Sequence, residues 1–172
     1  MSLPLRPRTK VPSLDLPTLD ERRFTLSDQK PRTFSMLVFY RGLHCPICAV
    51  YLRDLDRRMP AFLEQGVETV AISADTRERA AQSRKDWGIV RLSIAYGLSV
   101  DQAREGGLFI SGSLRNDEPP LFAEPGLFLV RPDGTLYGSS VQSMPFGRPL
   151  VSDLLAAIKF VNENDYPARG DV

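Results

Sequence analysis

The chain has 172 residues, 22 Lys plus Arg against 21 Asp plus Glu, and 42% hydrophobic residues. At roughly 150 residues per domain this is about one domain, long enough to bury a core without disulfide staples. A net charge of +1 leaves no basic excess to neutralise phosphates, which excludes a charge-driven nucleic-acid binder. Ordinary apolar content excludes disorder as the main state, and no apolar run approaches the roughly 18 residues of a membrane span.

Residues 1–32 read as an extended arm packed on a domain that occupies residues 33–172. Pro4, Pro7, Pro12, Pro17 and Pro31 keep the arm out of regular structure. Leu14, Leu16 and Leu19 are expected to pin it down, and Phe24 and Leu26, alternating with polar neighbours, to form a short strand. The segment Met1–Pro12 is basic and lacks the apolar core and cleavage site of a secretory signal. A cytoplasmic location is therefore expected.

Thr33 to Tyr40 is a nearly continuous apolar run and predicts a strand buried on both faces. A helix is predicted from Pro46 to about Gln65, with Ile47, Val50, Tyr51, Leu52, Leu55, Met59, Phe62 and Leu63 at helical spacing. Pro46 suits its first turn, Pro60 should kink or split it, and Gly66 should stop it. Its charged run Arg53 to Arg58 reads as an outer face. Val67 to Ser73 predicts a second strand. Asp75 or Thr76 should cap a short polar helix that runs to about Trp87 and stops at Gly88. Asp75, Arg77 and Glu78 read as its solvated start, and Trp87 as a packing residue.

Ile89 to Glu124 reads as an irregular insertion, with a short strand near Leu92 to Tyr96 and a short helix near Val100 to Glu105. Gly126 to Val130 and Thr135 to Val141 predict two antiparallel strands joined by Pro132-Asp133-Gly134, a turn in which Pro presets one dihedral and Gly accepts the positive one. Met144-Pro145-Phe146-Gly147 turns the chain or lines a substrate groove. A last helix should run from about Leu150 to Asn162. The first two main strands, joined through a helix, should be parallel. The fold class is thus α/β, a central mixed sheet flanked by helices.

The chemistry concentrates at Arg41-Gly42-Leu43-His44-Cys45-Pro46-Ile47-Cys48, a Cys-x-x-Cys where a buried strand hands over to a helix. Unpaired N–H groups and the positive dipole end of the first helical turn stabilise a thiolate. Arg41 and His44 would push the same way. The spacing lets Cys45 and Cys48 cycle between dithiol and disulfide. Closing so short a loop stabilises little, so a purely structural bridge is not the purpose. A zinc site wants four ligands, and only Cys45, Cys48 and His44 are at hand. The plain alternative is a pair of inert buried thiols. His44 is either a local proton acceptor, with an unperturbed pKa near 6.5, or a solvated loop residue.

The element order and Cys-Pro-Ile-Cys resemble the thioredoxin fold, and the Cys-Pro-x-Cys form resembles that of glutaredoxins. Phe39-Tyr40 and Pro125-Gly126-Leu127-Phe128-Leu129-Val130, with the Asp133-Gly134 turn, resemble peroxiredoxins. From about Pro17 to Pro167 the chain is similar to the alkyl hydroperoxide reductase/thiol-specific antioxidant (redoxin) family, in its peroxiredoxin-like branch with a Cys-x-x-Cys. The peroxiredoxin loop Pro-x-x-x-Thr-x-x-Cys falls on Arg41, Cys45 and Cys48, so the Pro and Thr are replaced. The peroxide-orienting Arg of that family falls on Pro125. The thioredoxin resemblance instead implies a cis proline at Pro125, attack by Cys45 and resolution by Cys48. The Trp that thioredoxins carry before the first Cys is His44, and their buried acid falls on Phe39.

These resemblances imply a thiol–disulfide oxidoreductase on a thioredoxin-like, peroxiredoxin-type fold. Cys45 and Cys48 are the catalytic pair, and Arg41, His44, Pro46 and Pro125 support it. One alternative is a thiol peroxidase in which Cys48 reacts with a hydroperoxide and Cys45 resolves. Another is a non-catalytic redox-sensing module. The expected partners are a disulfide or hydroperoxide substrate, a thiol donor of thioredoxin or glutathione type, and a second copy in a homodimer. No cofactor, metal, nucleic acid or membrane is implied.

Overall fold

The apolar run that opens the domain becomes the central strand. In a computed structural model of the chain, which describes residues 4–172, β3 (Phe34–Phe39) is buried along its whole length. It pairs in parallel with β4 (Val67–Ile72) and antiparallel with β8 (Gly126–Val130). The edges of this five-stranded sheet are β5 (Ser93–Ala95), parallel to β4, and β9 (Leu136–Val141), antiparallel to β8. The mixed sheet and both pairing senses are those the sequence predicts.

Alternation along β3 sorts its side chains into two cores. Phe34, Met36 and Val38 point toward α1 (Pro46–Glu64) and α4 (Val151–Asn164), against Leu52, Leu55, Phe62, Val151 and Ile158. Leu37 and Phe39 point to the other face, where Leu14, Leu16, Phe24 and Leu26 of the arm cover them. The arm carries its own antiparallel pair, β1 (Asp15–Pro17) with β2 (Arg23–Thr25). It also blunts both sheet edges: Leu19 N donates to Ile94 O at 3.0 Å, and Arg8 N donates to Leu136 O at 2.7 Å. Unpaired edges would otherwise be open to another strand. The first three residues of the expected arm lie outside the described residues.

Four expectations need correction. Pro60 does not split its helix: α1 runs unbroken to Glu64, because an exposed ring one turn from the end costs only the bond to the Asp56 carbonyl. The run Arg53 to Arg58 is not uniformly an outer face, since Asp56 is buried and accepts N–H bonds from Val90, Arg91 and Leu92 at 3.2, 2.7 and 2.7 Å. Asp75 is not solvated but 1% exposed, while the adjacent Thr76 caps α2 (Arg77–Asp86). The stretch 89–124 holds the short strand and the short helix expected of it, as the edge strand β5 and α3 (Val100–Glu105), and is more regular than an irregular insertion only in adding a separate hairpin, β6 (Ile110–Gly112) with β7 (Leu121–Ala123). Trp87 packs as expected, its ring edge-on to Tyr40 at 5.9 Å.

Candidate active site

β3 ends at Phe39 and α1 starts at Pro46, so the loop between them lies at the carboxyl end of the central strand. Gly42 adopts φ +130°, and a Cβ there would meet Asp75 Oδ1 at 2.7 Å. Glycine is required because the loop presses on that buried carboxylate. Asp75 accepts from Leu43 N at 2.8 Å and pairs with Arg79 Nε at 2.9 Å. This anchors the loop that leads into the cysteines.

Cys45 is the N-cap of α1, with Pro46 in the first turn, where the missing N–H costs nothing. A sulfur takes the place that a Ser or Asp oxygen usually fills. Cys48 N donates to Cys45 Sγ at 3.3 Å. Both cysteines are reduced and buried, at 1% and 0% exposure. Their acidities are pushed apart. Cys45 falls from 9.0 to about 6, chiefly through its hydrogen bond with the Cys48 thiol, against the opposing effect of burial. The Cys48 N–H, the charge of Arg148 and, least, Arg41 help lower it. Burial pushes the Cys48 thiol up, and its bond to Cys45 adds to this, while Arg148 opposes. Of the two, Cys45 is the more acidic thiol.

Two guanidiniums flank the pair from different parts of the chain. Arg41 lies over the Phe122 ring at 4.9 Å, with Nε 3.3 Å from Glu124 Oε2. Arg148, in the loop before α4, donates from Nη2 to Cys48 Sγ at 2.8 Å and from Nε to Pro145 O at 3.0 Å. Its Cζ sits 5.3 Å from the centre of the Tyr51 ring. Tyr51 in turn donates to Pro149 O at 2.8 Å, and burial pushes its phenol up to about 12. Arg148 lines a small cavity of about 10 Å³ with Tyr51, Pro125, Gln142 and Pro149. It also borders an open apolar groove of about 440 Å³ lined by Ile47, Val50, Phe146 and Leu150. Phe146 lines this groove from the loop that turns the chain into α4.

The supporting residues fare unequally. Arg41 and Pro46 stand where the motif implied. His44 is neither a solvated loop residue nor the acceptor of a cysteine proton. It is 8% exposed, packs edge-on to Phe122 at 4.7 Å, and neither ring nitrogen has a hydrogen-bond partner. Burial, and then the charge of Arg41, hold its pKa below the usual value. Pro125 is trans, as are all peptide bonds of the described residues. The chain runs straight from β7 into β8 through Glu124 and Pro125, and the Pro125 carbonyl extends the ladder to β9 by accepting from Gln142 N at 2.9 Å. Pro125 faces the small cavity beside Arg148.

Sequence reasoning missed Arg148, Glu124 and Tyr51. Arg148 lies 100 positions from Cys48, and no local pattern marks it. Glu124 gave a faint signal, an acid inside an apolar run just before a strand.

Comparison with known proteins gives the family and the fold. A model of the AhpC/TSA family matches residues 7–139. No curated protein matches the chain. Among solved structures, peroxidoxin BcpB from Mycobacterium tuberculosis is 16% identical with a TM-score of 0.73, over 91% of this chain and 98% of that one. AhpC from the same organism is 16% identical with a TM-score of 0.75, over 95% and 96%. The reduced 2-Cys peroxiredoxin of Plasmodium vivax is 17% identical with a TM-score of 0.76, over 94% and 84%. At such identities the structures speak for the fold, and the family match covers most of the sequence. The chain belongs to the AhpC/TSA family, as a peroxiredoxin-like thiol oxidoreductase on a thioredoxin-type fold.

Proposed function

We propose that the chain reduces a hydroperoxide with its Cys45–Cys48 dithiol and is returned to the dithiol by a thiol donor of thioredoxin or glutathione type. The observation that carries this is a reduced cysteine pair at the start of α1, with Cys48 N donating to Cys45 Sγ at 3.3 Å and Arg148 Nη2 donating to Cys48 Sγ at 2.8 Å. The thiolate is the reactive form of a cysteine, and Cys45 is the more acidic of the pair. Cys45 attacks one oxygen of the hydroperoxide and the O–O bond breaks. The departing alkoxide or hydroxide takes a proton from solvent, and Cys45 is left as a sulfenic acid. Cys48 then loses its proton and attacks that sulfur. Water leaves and the Cys45–Cys48 disulfide closes. Two thiols have lost two electrons, and the hydroperoxide has become an alcohol and water. Two donor thiols restore the pair through a mixed disulfide.

Burial of both sulfurs favours a small oxidant. Exchange with a protein disulfide uses the same nucleophile, but a third sulfur must approach Cys45 in line, and Cys45 is 1% exposed. The structural neighbours named peroxidoxin and peroxiredoxin also support a hydroperoxide. The cytoplasm, where donor thiols are kept reduced, is the compartment we propose.

One observation favours the reversed assignment. Cys48 occupies the position of the peroxiredoxin nucleophile, and Arg148 donates to it at 2.8 Å. Cys45→Ser and Cys48→Ser separate the two. Each is treated with hydrogen peroxide and a sulfenate trap, and the adduct is located by mass spectrometry. The expected adduct is on Cys45 in Cys48→Ser. An adduct on Cys48 in Cys45→Ser, with none on Cys45, reverses the roles. If the wild-type pair closes no faster than free cysteine oxidises, hydroperoxide is not the substrate and disulfide exchange stands. Absence of steady turnover with either oxidant class would leave a redox-sensing module.

A further inference from the structure

Arg148 meets the site from a loop with few other ties to it. Met144, Phe146 and Leu150 around it are exposed. Two of its polar contacts stay within the loop: Nε donates to Pro145 O at 3.0 Å, and its backbone N donates to Phe146 O at 3.2 Å. Bonds of that kind shape the loop but move with it, so they cannot set the guanidinium against α1. Its Nη1 is buried and has no hydrogen-bond partner. Two contacts remain that reach α1. One is the bond from Nη2 to Cys48 Sγ at 2.8 Å, and the other is the Tyr51 ring, 5.3 Å from Cζ.

Tyr51 follows Cys48 by three positions, so the two side chains are neighbours on one helix face. The tyrosine holds the arginine twice. Its ring lies against the guanidinium, and its hydroxyl donates at 2.8 Å to the carbonyl of Pro149, the next residue along the loop. The ring is itself packed on the core beneath the helix. Burial pushes the phenol up to about 12, so the hydroxyl keeps its proton and stays a donor at neutral pH. An aromatic face orients a guanidinium without neutralising it. A carboxylate in that place would compete with the sulfur for the same charge. Asp54, on the same groove, is taken up by Arg57 and Arg58, each at 3.2 Å. The positive charge of Arg148 is thus left to Cys48.

We propose that Tyr51 is a positioning residue that holds the Arg148 guanidinium against the sulfur of Cys48, through its ring on the side chain and its hydroxyl on the neighbouring carbonyl. The proposal rests on the reading of Cys45 and Cys48 as a redox pair, and it holds whichever of them attacks first. It gives the loop before α4 a fixed place on α1 without a charged anchor. Cys48 must lose a proton to close the disulfide, and a cation held at its sulfur favours that loss.

The test is alkylation of Cys48 by iodoacetamide in full-length Cys45→Ser protein, where Cys48 is the one thiol left. Four proteins are compared: this background alone, with Arg148→Met, with Tyr51→Leu, and with both. At neutral pH, below the Cys48 midpoint, the rate follows the thiolate fraction. Loss of the guanidinium is expected to raise the midpoint by about one unit and cut that fraction about tenfold. A less acidic thiol is the better nucleophile, which returns about threefold, so Arg148→Met should slow alkylation about threefold. Tyr51→Leu should slow it about twofold, and the double variant should be no slower than Arg148→Met, because both act through one guanidinium. A tyrosine that only packs predicts the opposite sign, since loosened packing opens a buried thiol to the reagent. An unchanged or faster rate in Tyr51→Leu overturns the proposal, as does the same slowing from Tyr51→Leu with and without Arg148. If that variant fails to fold, Tyr51→Phe decides: it removes the bond to Pro149, a smaller slowing is expected, and none counts against. Alkylation needs no hydroperoxide, so failure here and failure of the proposed oxidant are read separately.

Discussion

Cys45 and Cys48 stand one helical turn apart in the same buried cluster, and their hydrogen bonds differ. Cys45 caps the helix, so its sulfur accepts the Cys48 N–H. Cys48 lies inside the first turn against the core, with one polar neighbour from outside the motif, Arg148. The helix end and the hydrogen bonds win at the first position, and desolvation wins at the second. One turn of helix is enough because a cap position collects free N–H groups while the next turn is already packed. The two thiols thus differ in acidity before any substrate arrives.

Removing the Cys48 neighbour should break this contrast most sharply. Arg148→Met deletes a donor 2.8 Å from Cys48 Sγ. A charge-assisted hydrogen bond is worth roughly 1.5–3 kcal/mol, so closure of the disulfide from a Cys45 sulfenate should slow about 10–100-fold. Attack on hydroperoxide should suffer less, since Arg148 is only a secondary contributor to the Cys45 thiolate. Rapid mixing with hydrogen peroxide resolves the two steps. An equal slowing of both would mean that Arg148 serves the pair as a unit.

A smaller effect is expected from the Cys45 side. Asp75→Asn keeps the shape of a buried anchor but loses the charge that pairs with Arg79 Nε at 2.9 Å and weakens the bond from Leu43 N at 2.8 Å. Loss of about 2 kcal/mol is expected, read as a lower denaturant midpoint. Cys45 should then become more open to a bulky alkylating reagent than Cys48, because the anchor holds only the loop before the helix. Equal opening of both thiols would show that α1 and its loop move together.

The elements legible in the sequence are those whose signals are local. Thr33 to Tyr40 is almost wholly apolar because β3 is covered on both faces, and the Pro-Asp-Gly turn announces the β8–β9 hairpin. The cysteine motif is legible for the same reason, since cap, proline and helix adjoin. The β6–β7 hairpin escaped because two three-residue strands contain no period to detect. Asp56 and Asp75 escaped because each sits in a charged run, where a solvated face is the ordinary expectation. Arg148 and Glu124 reach the site from positions far along the chain, so only tertiary packing reveals them. The cis proline implied by the thioredoxin resemblance failed because Pro125 here continues one strand into the next.

The smallest effect concerns His44, the polar residue on the Cys45 side that serves neither sulfur. Its ring is buried against Phe122 with both nitrogens unpartnered, and burial and Arg41 depress its pKa. A base with a depressed folded pKa leaves stability flat above its unfolded value of about 6.5. As pH falls below that, the unfolded chain takes up a proton that the fold refuses, and stability declines until the folded value is reached. One such proton changes stability by at most about 1.4 kcal/mol per pH unit. His44→Phe keeps the aromatic contact and removes both the titration and the unpartnered nitrogens. The variant should match or exceed wild-type stability at pH 7.5, and its advantage should grow at pH 5.5. The Cys45 midpoint should stay where it is, since the imidazole is not among the groups that set it. A variant with the wild-type pH slope would mean that His44 takes up its proton in the fold as readily as out of it. A shifted Cys45 midpoint would instead bring the imidazole into the thiolate's surroundings and end the reading of His44 as a residue that only packs.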